Sequence, residues 1–189
     1  MSELVERARQ FATKAHRQIG HRRKYTGEPY EVHLDAVART VASVTDDPEM
    51  IAAAWLHDVV EDTPTTLEDI EREFGQSVAA LVVELTDVSC LADGNRAVRK
   101  GIDRRHTSAA SPRAKTIKLA DVIDNCEDFI RHAPGFLKTF LPEMAQLLAV
   151  LEQGDLTLFR RAKALHENCV EQIRREPTDP SEPVMDDGR

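Results

Sequence analysis

The stretch 52-AAAWLHDVVEDTPTT-66 decides how this chain is read. Ala52 to Leu56 are small or apolar and announce a helix entering a core. The same run then carries His57 and Asp58 side by side, with Glu61 and Asp62 one turn later. Residues four apart share a helix face, so His57 sits with Glu61 and Asp58 with Asp62. Three carboxylates at a helix C-terminus oppose the helix dipole, which is negative at that end, and a cation relieves the conflict. Adjacent His and Asp reach one metal ion where a helix end tilts toward it. No cysteine stands nearby, so the donors would be nitrogen and oxygen. Read alone, the stretch also fits a core histidine followed by a solvated acidic turn.

Outward from there, the apolar spacing is helical almost everywhere. Leu4, Val5, Ala8, Phe11, Ala12 and Ala15 form one stripe, and Leu34, Val37, Ala38 and Val41 form another after the turn-like YTGEPY. Asp47 before Pro48 reads as an N-cap with proline at the first helical position. Thr65 and Glu68 have capping-box spacing, and Gly75 reads as the end of that short helix. Ser111-Pro112 opens a helix holding AKTIKLADVIDN. Pro134-Gly135 breaks the chain before LPEMAQLLAVLEQ, and a last helix is expected from about Leu156 to Ile173. Residues 24–31 have some strand character but are too few to found a sheet. The expectation is one all-α domain of roughly eight or more helices over residues 1–174. Residues 175–189, rich in proline and acids, are expected to be a disordered tail.

A chain of 189 residues can build a real core. Apolar residues at 41% and charged ones at 31% are ordinary for a globular protein. No apolar run is long enough to span a bilayer, and the charged start MSELVERARQ is neither a signal nor a transit peptide. Cys90, Cys126 and Cys169 are isolated, which suits reduced thiols in a cytoplasmic protein. A net charge of −8 argues against a general nucleic-acid binder. The positive charge is nonetheless concentrated. Five Lys/Arg residues and no acid lie between Lys14 and Lys24; eight and one acid, Asp103, lie between Arg96 and Lys118. Each island alone fits a solvated face; two flanking a metal site fit a pocket for a small polyanion.

Two further places complete a pattern. In EVHLDAVA, His33 stands where a turn feeds an amphipathic helix. In TIKLADVIDN, Asp121 lies in an apolar stretch where burial without a partner is costly, and Asn125 follows on the same face. The order His33, His57-Asp58, Asp121 resembles the HD metal-dependent phosphohydrolase superfamily. The segments RRKYTGEPYEVH, AAWLHDVVEDTPTTLEDIEREFG, LTDVS and SPRAKTIKLADVIDN resemble more closely the hydrolase domain of RelA/SpoT homologues, above all its single-domain form, the small alarmone hydrolases. The likeness covers residues 5–130 with the motifs in order.

The resemblance implies an HD-domain helical bundle in which His33, His57, Asp58 and Asp121 hold one divalent ion, Mn2+ in this family. It implies that Glu61 and Asp62 orient and deprotonate the attacking water. Arg22, Arg23 and Lys24 match the basic triplet around the base and phosphates, Asn125 an asparagine contacting the nucleoside, and Arg99, Lys100 and Lys115 further basic positions. Tyr30 also matches, with turn packing its expected role. The implied reaction removes the 3′-pyrophosphate of guanosine tetra- or pentaphosphate (ppGpp or pppGpp), giving GDP or GTP, in the cytoplasm. Hydrolysis alone is expected, since this length leaves no room for the synthetase and regulatory domains of the long homologues. A second reading is an HD phosphohydrolase acting on another nucleotide or cofactor phosphate such as NADPH; a third is a non-catalytic nucleotide sensor.

The chain departs from the family pattern in three places, one of them a loop from Lys24 to His33 about one residue shorter than in the animal relatives. Leu34 follows the first ligand where the family usually has proline. After KLAD the family usually continues with a basic residue, a His or Tyr before Asn, then Met or Leu and Arg; here VIDNCEDF puts Asp124 before Asn125, then Glu127 and Asp128. Three acids beside a site for a charged nucleotide are unfavourable unless they face away or bind cations. His16, His21, His106, His132 and His166 carry no motif, and Cys126 reads as a core thiol.

Overall fold

The computed structural model describes residues 2–175; the expected tail from residue 176 onward lies outside them. Ten α-helical segments follow in chain order: α1 (Glu3–Gln18), α2 (Glu31–Ala42), α3 (Pro48–Leu56), α4 (Val59–Asp62), α5 (Leu67–Phe74), α6 (Gln76–Leu85), α7 (Arg96–Ala109), α8 (Pro112–His132), α9 (Leu137–Leu148) and α10 (Leu156–Arg175). No strand occurs among the described residues, and the expected β character reduces to an isolated bridge between Arg22 and Pro29. Gly27 closes that turn at a φ of 69°, in the left-handed region that favours glycine. No described helix is long and apolar enough to cross a membrane.

Local chemistry sets the helix starts. The Asp47 carboxylate accepts from the Glu49 and Met50 amides with Pro48 behind it, and the Ser111 hydroxyl accepts from the Ala114 amide. Each such cap is worth about 1 kcal/mol. The start of α5 is one residue later than the sequence suggests. Thr66 and Asp69 form the capping box, because the Thr65 hydroxyl and amide are taken by the Thr63 hydroxyl. Gly75 ends α5 at a φ of 85°.

α8 is the axis of the fold and packs against α2, α3, α6, α9 and α10. Ile117, Leu119, Ala120, Val122, Ile123 and Cys126 are buried on it, so its apolar surface runs nearly all the way round. Two charged side chains, Lys115 and Asp121, are buried on the same helix. α1, α2 and α3 pack on one another, as do α9 and α10.

Candidate active site

The expected continuous helix through 52–62 is interrupted. α3 ends at Leu56, His57 caps it, and Asp58, at φ −101°, ψ −2°, stands between it and the start of α4 at Val59. His57 Nδ1 donates to the Ala54 carbonyl at 2.8 Å, which fixes the ring and leaves Nε2 to offer its lone pair. That Nε2 is buried, has no hydrogen-bond partner, and lies 3.1 Å from Asp58 Oδ2 and 3.9 Å from Asp121 Oδ1. His33, in the first turn of α2, brings Nε2 to 3.4 Å from Asp121 Oδ1 and 3.6 Å from Asp58 Oδ2. The four residues expected as ligands, from three distant segments, therefore converge.

Their surroundings orient each one. His33 Nδ1 donates to Asp124 Oδ2 at 2.6 Å, the arrangement in which a carboxylate fixes the tautomer of a metal-binding histidine. Asn125 Nδ2 donates to Asp121 Oδ1 at 2.6 Å, and Lys118 Nζ lies 3.0 Å from Asp121 Oδ2. Tyr30 does more than pack a turn: its hydroxyl donates to Asp58 Oδ2 at 2.5 Å. Burial opposes charge on Asp121, but Lys118 first, and then His33, hold its carboxyl below the usual range. Burial likewise opposes charge on the His33 and His57 imidazoles, yet the hydrogen bonds that His33 directs to the Asp121, Asp124 and Asp58 carboxylates, and the Asp58 charge beside His57, raise their proton affinity. The same negative field draws a divalent cation. Two imidazole nitrogens and two carboxylates with an orphaned buried lone pair at their centre suit a borderline divalent metal, and cysteine-seeking ions are excluded by the donor set.

Glu61 and Asp62 point apart, since neighbours on a helix do not share a face. Glu61 lines a cavity of about 320 Å3 together with Asp58, Asp87, Lys118 and Asp121. Burial first, then the charges of Asp87 and Asp58, push its carboxyl up to about 7. Asp62 turns toward the other side, with Oδ2 3.7 Å from His21 Nδ1.

The basic residues divide. Arg22 and Lys24 are exposed and line a cavity of about 180 Å3 with Tyr25, Asn125, Phe129 and Phe136. Arg99 and Lys100 line a third cavity of about 840 Å3 beside Glu61 and Asp87. Arg23 is buried and held in an internal ion pair, 2.7 Å from Asp124 and 3.2 Å from Asp128. Lys115 is placed away from all three cavities. Its buried ammonium donates to the Ser108 carbonyl at 2.9 Å and to Gln153 Oε1 at 2.8 Å, a packing role rather than the expected contact with substrate. Of the acids after KLAD, Asp124 and Asp128 hold Arg23, while Glu127 faces outward to Arg161 at 2.7 Å.

Sequence reasoning missed Lys118, Asp87 and Arg96. Lys118 stands three residues before Asp121, an ion-pair spacing that was available. Asp87, in the quoted LTDVS, pairs with Lys100 at 2.9 Å. Arg96 borders all three cavities, pairs with Glu143 at 2.8 Å and covers the Phe136 ring; nothing in the local sequence singles it out.

The profile of the family described as HD domain matches residues 8–151. The chain belongs to the HD domain family. Human guanosine-3′,5′-bis(diphosphate) 3′-pyrophosphohydrolase MESH1 is 40% identical over 136 residues, covering 70% of this HD domain protein and 73% of the human one. The enzyme of the same activity from Aquifex aeolicus is 37% identical over 124 residues, 66% of this chain but only 17% of that far longer protein. Among solved structures, a metazoan orthologue of SpoT that hydrolyses ppGpp superposes with a TM-score of 0.80 at 30% identity, covering 89% of this chain and 96% of that one.

Proposed function

We propose that this HD domain protein is a metal-dependent hydrolase that removes the 3′-pyrophosphate of guanosine tetra- or pentaphosphate. The observation that carries the proposal is the convergence of His33, His57, Asp58 and Asp121 beside a cavity lined by Glu61 and by the half-buried Arg96, Lys100, Arg104 and Lys118. The relatives named for this activity support the substrate class.

His33, His57, Asp58 and Asp121 would hold the divalent ion, taken here as Mn2+, whose chemistry is to acidify bound water and to offset phosphate charge. Glu61, poised to exchange a proton near neutrality, accepts the proton of the attacking water. Asp62, expected to share that task, faces away from the cage toward His21 and is left out of the step. Lys100 and Arg99 draw the phosphates into the cleft, while Arg22, Lys24 and the Tyr25, Phe129 and Phe136 rings receive the nucleoside end. Water oxygen adds to the pyrophosphoryl phosphorus as the bond to the ribose 3′-oxygen breaks, releasing pyrophosphate and GDP or GTP. All four ligands and the acidic pair are present, which favours an enzyme over a non-catalytic sensor. A nucleotide substrate and the buried reduced thiols of Cys126 and Cys169 fit a cytoplasmic setting.

Incubation with guanosine tetraphosphate, NADPH and nucleoside mono- and triphosphates in the presence of Mn2+ tests the reading by the product released. Pyrophosphate from guanosine tetraphosphate is expected. Turnover of NADPH to free phosphate, with no pyrophosphate from the tetraphosphate, would transfer the function to a cofactor phosphatase.

A further inference from the structure

Asp62 turns away from the ligand cage, and what it meets there is a second group of metal-type donors. His16 on α1, His21 in the loop after α1, and Asp62 on α4 each bring a ligand atom to within 4.8 Å of the other two. The two imidazoles approach through Nδ1 and Nδ1 at 3.0 Å, and His21 Nδ1 is 3.7 Å from Asp62 Oδ2. With metal–ligand bonds of about 2.1 Å, those separations subtend angles of roughly 90° and about 120°, within the range of a four- or five-coordinate ion. A proton shared between the imidazoles accounts for their approach; a cation accounts for that approach and for the carboxylate oxygen together.

The rings are held in place. His21 stacks on Tyr30 with centroids 3.8 Å apart and planes 11° from parallel, and His16 packs on the same tyrosine at 4.8 Å. Tyr30 in turn donates its hydroxyl to Asp58, so one aromatic stack separates this group from the cage. His16 is wholly buried, and burial lowers its proton affinity to about 4, so its lone pair is available to a ligand at neutral pH.

We propose that His16 Nδ1, His21 Nδ1 and an Asp62 carboxylate oxygen form a second divalent-cation site, distinct from the His33, His57, Asp58 and Asp121 cage. Two imidazoles and one carboxylate select an ion of the cobalt, nickel or zinc type over calcium or magnesium, with open positions left to water. Occupancy locks Asp62 in place across the stack from the cage. The site does not depend on which phosphate ester is the substrate.

The test is the stoichiometry of Co2+ bound by the metal-stripped full chain, measured by calorimetry and by elemental analysis after desalting. Two equivalents are expected for the natural protein, one for Asp58→Ala, one for His21→Gln, and none for the double variant. His16→Gln, with far-ultraviolet circular dichroism confirming its helix content, is expected to repeat the His21→Gln count. A count that His21→Gln leaves unchanged from the natural protein overturns the proposal. Failure of the cage alone gives a different result, an unchanged count in Asp58→Ala.

Discussion

His33 Nδ1 lies 2.6 Å from Asp124 Oδ2, and the same carboxylate oxygen is 2.7 Å from Arg23. The acid that looks hostile to a nucleotide thus spends its charge on the buried Arg23 and on the back of His33. Burial opposes its ionisation, but the His33 hydrogen bond and the Arg23 charge hold its carboxyl below the usual range. Asp124→Asn keeps the shape and removes the charge. It is expected to weaken divalent metal binding ~10–100-fold, the usual cost of losing such a partner, with helix content unchanged. Calorimetric titration with Mn2+ measures it, and an unaltered affinity would show that Asp124 serves Arg23 alone.

As the proposed base, Glu61 would set the acid limb of the pH–rate profile. It acts as a base only when ionised, and its carboxyl is pushed up to about 7, so kcat/KM should rise as pH passes through about 7. Asp87 is the neighbouring charge that contributes most to the rise after burial. Asp87→Asn is therefore expected to move the midpoint of that limb to lower pH. A midpoint that stays put, or moves up, contradicts the assignment of Glu61 as base.

Lys118 holds the cage together before an ion arrives. Its side chain is 18% exposed, its ammonium is 3.0 Å from Asp121, and the charges of Asp121, Asp87 and Asp58 raise its proton affinity against burial. Removing one partner of such a pair costs about 3–5 kcal/mol, because the other charge is left uncompensated. Lys118→Met is thus expected to lower the Tm of the metal-free chain. Because a bound cation replaces the lost charge, Mn2+ should raise the Tm of the variant more than that of the natural protein; scanning calorimetry with and without metal reads both.

Lys115→Met separates packing from binding. Its buried ammonium donates to Ser108 O and Gln153 Oε1, so the change removes hydrogen bonds made by a charged group, a loss of about 1–3 kcal/mol. Denaturant unfolding should register that loss while KM stays within about twofold of the natural value. A large rise in KM with stability unchanged would return Lys115 to the substrate site.

What residues do through near neighbours was readable directly. Asp47 and Ser111 cap their helices as expected, Gly75 ends α5, and His33, His57, Asp58 and Asp121 meet as their order implied. These features rest on spacings of a few residues or on a motif whose members have one common use. The capping box slipped by a single residue because Thr65 had a competing partner in Thr63.

The directions of charges were decided by tertiary structure. α8 is apolar nearly all round, so its pattern does not say which neighbour each polar side chain will meet. Only the packed α2, α7 and α9 show that Asp124 backs His33, that Lys115 is internal, and that Arg96 bridges to Glu143 over Phe136. The break at His57-Asp58 likewise turns Glu61 into the cavity and Asp62 toward His16 and His21, a division that helical periodicity alone would not assign. A charge in water is indifferent to where it points; a buried one must find a partner, and that partner comes from whichever helix packs against it.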